Sequence, residues 1–341
     1  MMMRRCATTV VIRSGGVRMF STSSPFDESL KVVHRDNAAR ALRSLASTGS
    51  SSAFDFECLH RAVASQLTDR VRDITREFRS AADVGCHAGY VFESLAQEGI
   101  AEEVGLETFS HIERAPELLK LAKERTSEAG ANAGVAMDYE SSIDAIAPGS
   151  QDLVFSSLSL HWENDLPGAL KRVKRALKPD GAFLGAMLGG DTLWELRAAL
   201  SVADQERLGG LAVHVSPMTN GADLGSLLQS AGFSLLTLDS IKVEIEYANA
   251  FECMRHLGII GESNASALRQ GEGYSRETLL AAASIYQEMF GTRGADSDST
   301  IPATFEVLFM IGWKPDASQA VPIERGSASA SLKSLGSGGA L

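Results

Sequence analysis

The sequence predicts a doubly wound α/β domain on a mainly parallel sheet. Three observations lead there. Short β-prone runs alternate with helix-patterned stretches from Ala81 to Leu188, which is the rhythm of βαβ units with helices on both faces. A glycine-rich turn, Gly85-Cys86-His87-Ala88-Gly89, directly follows the first of those runs. Beyond the alternation, Phe233–Tyr247 and Ala303–Trp313 read as long strands, suited to an antiparallel end of the sheet.

Taken in order, residues 1–26 carry Arg4, Arg5, Arg13 and Arg18 and no acid. An Arg-bearing, Ser- and Thr-rich start of this kind reads as a mitochondrial transit peptide. Arg18-Met19-Phe20 followed by Ser23 resembles an Arg-x-Phe-x-x-Ser processing signal. Without that segment the formal charge moves from −11 to −15, and neither value suits a nucleic-acid binder. No apolar run reaches the roughly 18 residues of a membrane span. Cys6, Cys58, Cys86 and Cys253 contain no C-x-x-C pair. They therefore indicate neither a zinc site nor a disulfide framework, and a reducing compartment fits.

A charged stretch from Lys31 to Arg43 leads into a loop at Ser44–Ser52. From Phe54 to Phe78, Leu59, Val63, Leu67, Val71 and Ile74 recur at helical steps, predicting an N-terminal amphipathic helix. Ala81–Val84 is the first strand, and Tyr90–Glu98 the helix after the glycine turn. Val104-Gly105-Leu106 reads as the second strand, Pro116–Glu128 as a helix, and Val135–Met137 as the third strand. Gln151–Leu158 is the fourth. Pro167–Leu177 is a helix stopped by the turn Lys178-Pro179-Asp180-Gly181, and Ala182–Leu188 is the fifth strand. Helices are predicted at Thr192–Gln205, Ala222–Ser230, Phe251–Leu257 and Arg276–Phe290. The main domain thus spans 27–315. Its core covers about 78–247 plus 303–313, with a helical insertion at about 248–300 and a loosely ordered tail at 316–341.

In such sheets ligands bind beyond the carboxyl ends of the strands, at the switch point of strand order. The loop Asp83-x-Gly85-x-His87-x-Gly89 lies there. Its small residues let a ligand approach the backbone, and the helix behind it offers free N–H groups. Cys86 belongs to the same loop. Glu107, read as closing the second strand, is placed to hold ribose hydroxyls, and Asp138, closing the third, to meet an adenine edge. Three acids at successive strand ends converge on one edge of the sheet.

These features resemble class I S-adenosylmethionine (SAM)-dependent methyltransferases. Further motifs narrow the resemblance: Ser156–Trp162, Asn164–Pro167, Leu177–Gly181, Gly189–Leu193 with Glu195-Leu196-Arg197, Gly261–Asn264, Pro302–Thr304, Met310–Lys314 and Glu324–Ala328. With them, the chain from about Phe26 to Ala328 resembles the arginine-hydroxylase family of mitochondrial complex I assembly factors. The resemblance implies a matrix protein associated with the inner membrane. Its partners would be assembly intermediates of the NADH:ubiquinone oxidoreductase, and its substrate an arginine of a core iron–sulfur subunit. SAM is the cofactor implied by the fold. At His87 the chain departs from the glycine usual in that family, and an imidazole there either crowds the ligand or bonds its carboxylate.

Hydroxylation raises the question of iron. His161-x-Glu163 with His214 matches a facial-triad ligand set, but His111-x-Glu113 repeats the spacing, so no metal ligands are assigned. His161 and Trp162 are expected as a substrate-facing wall at the end of the fourth strand. The stretch Gly189–Ser299 is long for a small-molecule lid, favouring a protein segment as substrate. Asp191 and Glu195, four apart, are expected on one face of a helix, where two carboxylates could clamp a guanidinium. Two alternatives stand beside this reading: an O-methyltransferase acting on a carrier protein or small molecule, and a non-catalytic assembly chaperone.

Overall fold

A computed structural model describes residues 24–48, 54–269, 275–293 and 299–319. Of the transit segment expected at 1–26, residues 1–23 lie outside the described residues, as do residues 320–341 of the tail expected at 316–341, and with them the Glu324–Ala328 motif.

Two helices come first, α1 (Glu28–Thr48) and α2 (Cys58–Arg72). The alternating units follow as β1 (Ser80–Val84), α3 (Tyr90–Gln97), the short α4 (Ile100–Glu103), β2 (Thr108–Ile112), α5 (Pro116–Asn132), β3 (Ala136–Glu140), β4 (Gln151–Ser157), α6 (Leu166–Ala176) and β5 (Leu177–Leu188). Then come α7 (Trp194–Leu208), α8 (Gly221–Ala231), β6 (Ser234–Tyr247), α9 (Ala250–Ile259), α10 (Arg276–Phe290), the two-residue β7 (Thr292–Arg293) and β8 (Ser299–Trp313). Strand order is β3-β2-β1-β4-β5-β8-β6, with β7 paired to the start of β8. The first five strands run parallel, while β8 is antiparallel to both β5 and β6. The switch of strand order therefore falls between β1 and β4, as a doubly wound sheet requires.

Alternation along the strands builds the two packed layers. Leu153 and Phe155 of β4, with Phe305, Val307 and Phe309 of β8, join one core with α2, α3 and α7. Val154, Phe183, Met187, Leu308 and Met310 point the other way, onto Leu170, Val173, Leu224 and Leu228 of α6 and α8. In α2 the predicted face holds: Leu59, Val63, Leu67 and Val71 are all buried. The helix is shorter than the predicted 54–78.

Four sequence expectations are corrected. Val104-Gly105-Leu106 is not the second strand; Val104 ends α4, and Gly105 turns the chain at a φ of 70°. The strand lies later, at Thr108–Ile112. The third strand likewise runs on past Asp138 to Glu140. The turn at Lys178–Gly181 is absorbed into β5, whose register against β4 shifts between Gln151 and Leu153. The charged stretch 31–43 is a helix of 21 residues that buries Lys31, Arg35, Ala38, Ala39 and Leu42. Ahead of it, Phe26 N–H donates to Asn164 Oδ1 at 2.9 Å and Asp27 N–H to the Ala265 carbonyl at 2.8 Å. Among the described residues no helix is long and apolar enough to cross a membrane.

Candidate functional site

A cleft of about 510 Å³ opens at the switch point, beyond the ends of β1, β2 and β4. Its walls are Gly85, Glu113, the turn Ser142–Asp144, Ser159, and Arg35 from α1. A side chain at Gly85 has no room, because a Cβ there would lie 1.9 Å from Ser159 Oγ. Gly89, with a φ of 90°, precedes α3, and a Cβ there would meet Thr126.

The loop residues divide. Asp83 is fully buried, and neither carboxylate oxygen has a hydrogen-bond partner. Burial first and the nearby Glu113 second push its carboxyl up to about 8. The Gly85 and Cys86 N–H groups both donate to the Ile112 carbonyl, at 2.8 and 3.1 Å. Cys86 itself is buried. His87 takes a φ of 50°, and its Nε2 meets the Leu158 carbonyl at 3.0 Å while the ring packs 4.7 Å from that of His60. Burial and Arg35 lower the imidazole to about 3. It is a neutral packing group and does not line the cleft.

The acids are rearranged. Glu107 precedes β2, at the opposite end of the strand from the cleft; it is exposed, with Arg79 at 3.8 Å. It cannot reach a ligand at the switch point. Asp138 is the exposed middle residue of β3 and also misses the cleft. The acid that closes β2 is Glu113, 1% exposed, which the sequence hides because Val104 and Leu106 imitate the strand ahead of it. Arg35 Nη1 donates to Glu113 Oε1 and Oε2 at 3.1 and 3.2 Å, and Arg35 Nη2 to Ser159 Oγ at 2.8 Å.

A second buried cluster adjoins it. The 3-10 turn Leu160–Trp162 after β4 brings His161 Nε2 to 3.0 Å and Trp162 Nε1 to 2.7 Å from Glu262 Oε2. Lys31 Nζ donates to the Gly261 carbonyl at 2.7 Å and to Glu262 Oε1 at 3.2 Å, and lies 3.5 Å from the centre of the Trp162 ring. Burial lowers Lys31 to about 7, partly offset by Glu262. Burial alone would raise the Glu262 carboxyl; Lys31 and His161 outweigh it and hold it well below the usual range.

On the far side of Trp162 lies a larger cavity of about 980 Å³, between α1, α7, α10 and the segment 212–218. Leu196, Leu200, Met254 and Leu257 make much of it apolar, with Glu262 and Asp204 as its acids. Trp162 lines both cavities.

The expected carboxylate clamp fails. Asp191 precedes α7 and is exposed, paired with Lys242 at 2.8 Å. Glu195 is buried, bonded to the Thr304 hydroxyl and, at 3.2 Å, to the Thr304 N–H. The two carboxylates are not a clamp, because the helix starts at Trp194 and turns Glu195 into the sheet. The iron set is not assembled either: His161 meets Glu262, Glu163 meets Arg114 at 3.0 Å, and His214 meets Asp204 at 2.5 Å. No group of three or more possible metal ligands occurs among the described residues.

Comparison with known proteins agrees with this architecture. The family described as "Methyltransferase domain" matches residues 82–185. The mitochondrial arginine-hydroxylase NDUFAF5 of Danio rerio is 43% identical over 310 residues, 91% of this chain and 89% of that protein. Its Homo sapiens counterpart is 40% identical, over 95% of this chain and 88% of that protein. A malonyl-[acyl-carrier protein] O-methyltransferase of Methylovorus sp. is 29% identical over 77% of this chain and 85% of that protein. With the fold, the switch-point cleft and 40–43% identity over most of both chains, this protein belongs to the family of the mitochondrial arginine-hydroxylase NDUFAF5.

Proposed function

We propose that this chain binds SAM in the switch-point cleft and hydroxylates an arginine of a core iron–sulfur subunit during assembly of complex I, in the mitochondrial matrix or at the matrix face of the inner membrane. One observation carries the reading: Trp162 is the common wall of a cofactor-sized cleft and a larger, mostly apolar cavity, so two ligands can meet across one side chain.

The cleft fits SAM. Asp83 lies behind Val84 and Gly85 of the cleft wall, with two buried oxygens that lack donors, an unmet demand that an entering N–H group would answer. Gly85 leaves the backbone bare where a side chain would collide. Glu113 would accept from ribose hydroxyls, and the Ser142–Asp144 turn would border the adenine. When bound, SAM supplies a sulfonium with an electrophilic methyl group. Hydroxylation turns a C–H bond into C–OH, a two-electron oxidation that needs a cosubstrate, either a peroxide or dioxygen with two electrons and two protons, and one oxygen atom leaves as water. The chain's own residues bind, orient and exclude water. Removal of the transit peptide expected at 1–26 belongs to the same proposal, with the cut moved to before Pro25, whose carbonyl accepts from the Ala267 N–H at 2.8 Å.

The O-methyltransferase alternative is weaker on likeness: the O-methyltransferase of Methylovorus sp. is 29% identical to this chain, against 40–43% for the arginine-hydroxylases. The test complements cells lacking the protein with wild type or with Trp162→Ala. Mass spectrometry of complex I subunits should find an arginine that gains one oxygen with wild type and not with the variant. A fully hydroxylated set of arginines in the null cells would overturn the proposal. A methyl ester on a carrier protein that appears only with wild type would put the O-methyltransferase in its place.

A further inference from the structure

The junction between the two cavities is built to hold a cation. Three acceptors converge there: the Glu262 carboxylate, the Gly261 carbonyl and the face of Trp162. A carboxylate, a carbonyl dipole and an aromatic face together are the chemistry of an ammonium or guanidinium site. The site is occupied from within the chain. Lys31 reaches in from α1, lines the cofactor cleft, and places its ammonium on all three groups. Glu262 and Trp162 border the larger cavity, so these two of the three acceptors can be approached from the substrate side.

Lys31 is a poor permanent occupant. Burial lowers its ammonium to about 7, so near neutrality the site holds a cation that is ready to lose its proton. A guanidinium does not titrate in this range. It is more weakly hydrated than an ammonium, and its flat face stacks on indole. Withdrawal of Lys31 would not orphan Glu262, whose Oε2 keeps the His161 and Trp162 donors.

We propose that Glu262, the Gly261 carbonyl and Trp162 form the docking site for the guanidinium of the substrate arginine, and that Lys31 is an internal stand-in which the substrate displaces. This rests on the arginine-hydroxylase reading. The site lies beside the cofactor cleft, as a reacting side chain requires, and the leucines of α7 along the larger cavity cover the rest of the incoming segment. Displacement also loosens the start of α1, so substrate entry and movement of that helix are one event.

The test is calorimetry on the full chain, with SAM present. The ligand is a short peptide carrying one central arginine among neutral residues, and the control is the same peptide with citrulline. Lys31→Met removes the internal competitor while filling its space. It should bind the arginine peptide about tenfold or more tightly than wild type, and the citrulline peptide no better. Glu262→Gln should move the arginine peptide the opposite way by a similar factor. Trp162→Leu, which removes the aromatic face and leaves the carboxylate, should also weaken it and serves if Glu262→Gln fails to fold. A Lys31→Met protein that folds and binds the arginine peptide no more tightly than wild type overturns the stand-in. Citrulline bound as well as arginine by wild type and by Lys31→Met overturns the arginine reading itself, and the inference with it.

Discussion

Arg35 and Glu113 form an ion pair in which one guanidinium nitrogen spans both carboxylate oxygens, at 3.1 and 3.2 Å. It joins the first helix to the end of the second strand, and both side chains are nearly shut off from solvent. In the proposed complex a ligand ribose would share Glu113 with Arg35, so the covering helix and the cofactor would address the same carboxylate.

The two candidate ribose acids can be separated directly. Glu113→Gln should weaken SAM binding by about 1–3 kcal/mol, the range for losing a charged acceptor. Glu107→Gln, at the other end of the strand, should leave it unchanged. Calorimetry with SAM decides, and equal affinities for the two variants would remove Glu113 from the site.

Breaking the buried pair from one side should be costly. Arg35→Met leaves Glu113 without its cation, which typically costs about 3–5 kcal/mol when the pair is buried. Adding Glu113→Gln to that background should restore part of the loss, since the uncompensated charge is gone. Denaturant unfolding of the three variants checks both steps. A double variant less stable than Arg35→Met would contradict the account.

Glu195 is a structural acid. Glu195→Ala leaves the Thr304 N–H and hydroxyl inside the protein without their acceptor, and should cost about 1–3 kcal/mol. Asp191→Asn, at the surface beside Lys242, should leave the melting temperature in place. Thermal melts of the two proteins would settle which carboxylate the fold depends on.

Acid should destabilise the protein well before its surface carboxylates protonate. Burial lowers His87 and His111 to about 3 and His256 to about 4, against about 6.5 in an unfolded chain. Their folded values are depressed, so their contribution is complete above pH 6.5 and is lost as pH falls toward 4. Asp83, raised to about 8, works the other way in that window, but one group opposes three. The net loss should exceed about 1 kcal/mol per pH unit. A melting temperature that holds steady from pH 7 to pH 5 would refute this.

Where burial is apolar, the sequence could be read. The α10 bounds, Arg276–Phe290, coincide with the predicted ones, and β4 and β8 differ only at their ends. Failures came where polar groups are buried. The inner face of α1 is made by Lys31, Arg35, Ala38, Ala39 and Leu42, so its helical spacing is written partly in charges, which a search for apolar periodicity passes over. β2 buries Ser110 and His111, with His111 bonded to Thr126 and stacked on Tyr139. Such a strand shows no clean apolar run, while Val104 and Leu106 imitate one nearby. That displacement moved the expected strand-closing acid from Glu113 to Glu107. The cation site could not be read at all, because its parts meet only through tertiary packing.

The clasp between α1 and the 261–269 segment has a consequence for the order in which the molecule assembles. Lys31 and Glu262 are 231 positions apart in sequence, and Phe26 pairs with Ser266 across a comparable span. Contacts of such separation form late, after the chain between them has condensed. The parallel sheet can then exist before the clasp closes, and the clasp can reopen without unfolding the sheet. Hydrogen exchange should find the start of α1 opening more readily than β4, whose residues are buried throughout. On that order of assembly the first helix is a latch that the finished domain draws shut over the switch-point cleft.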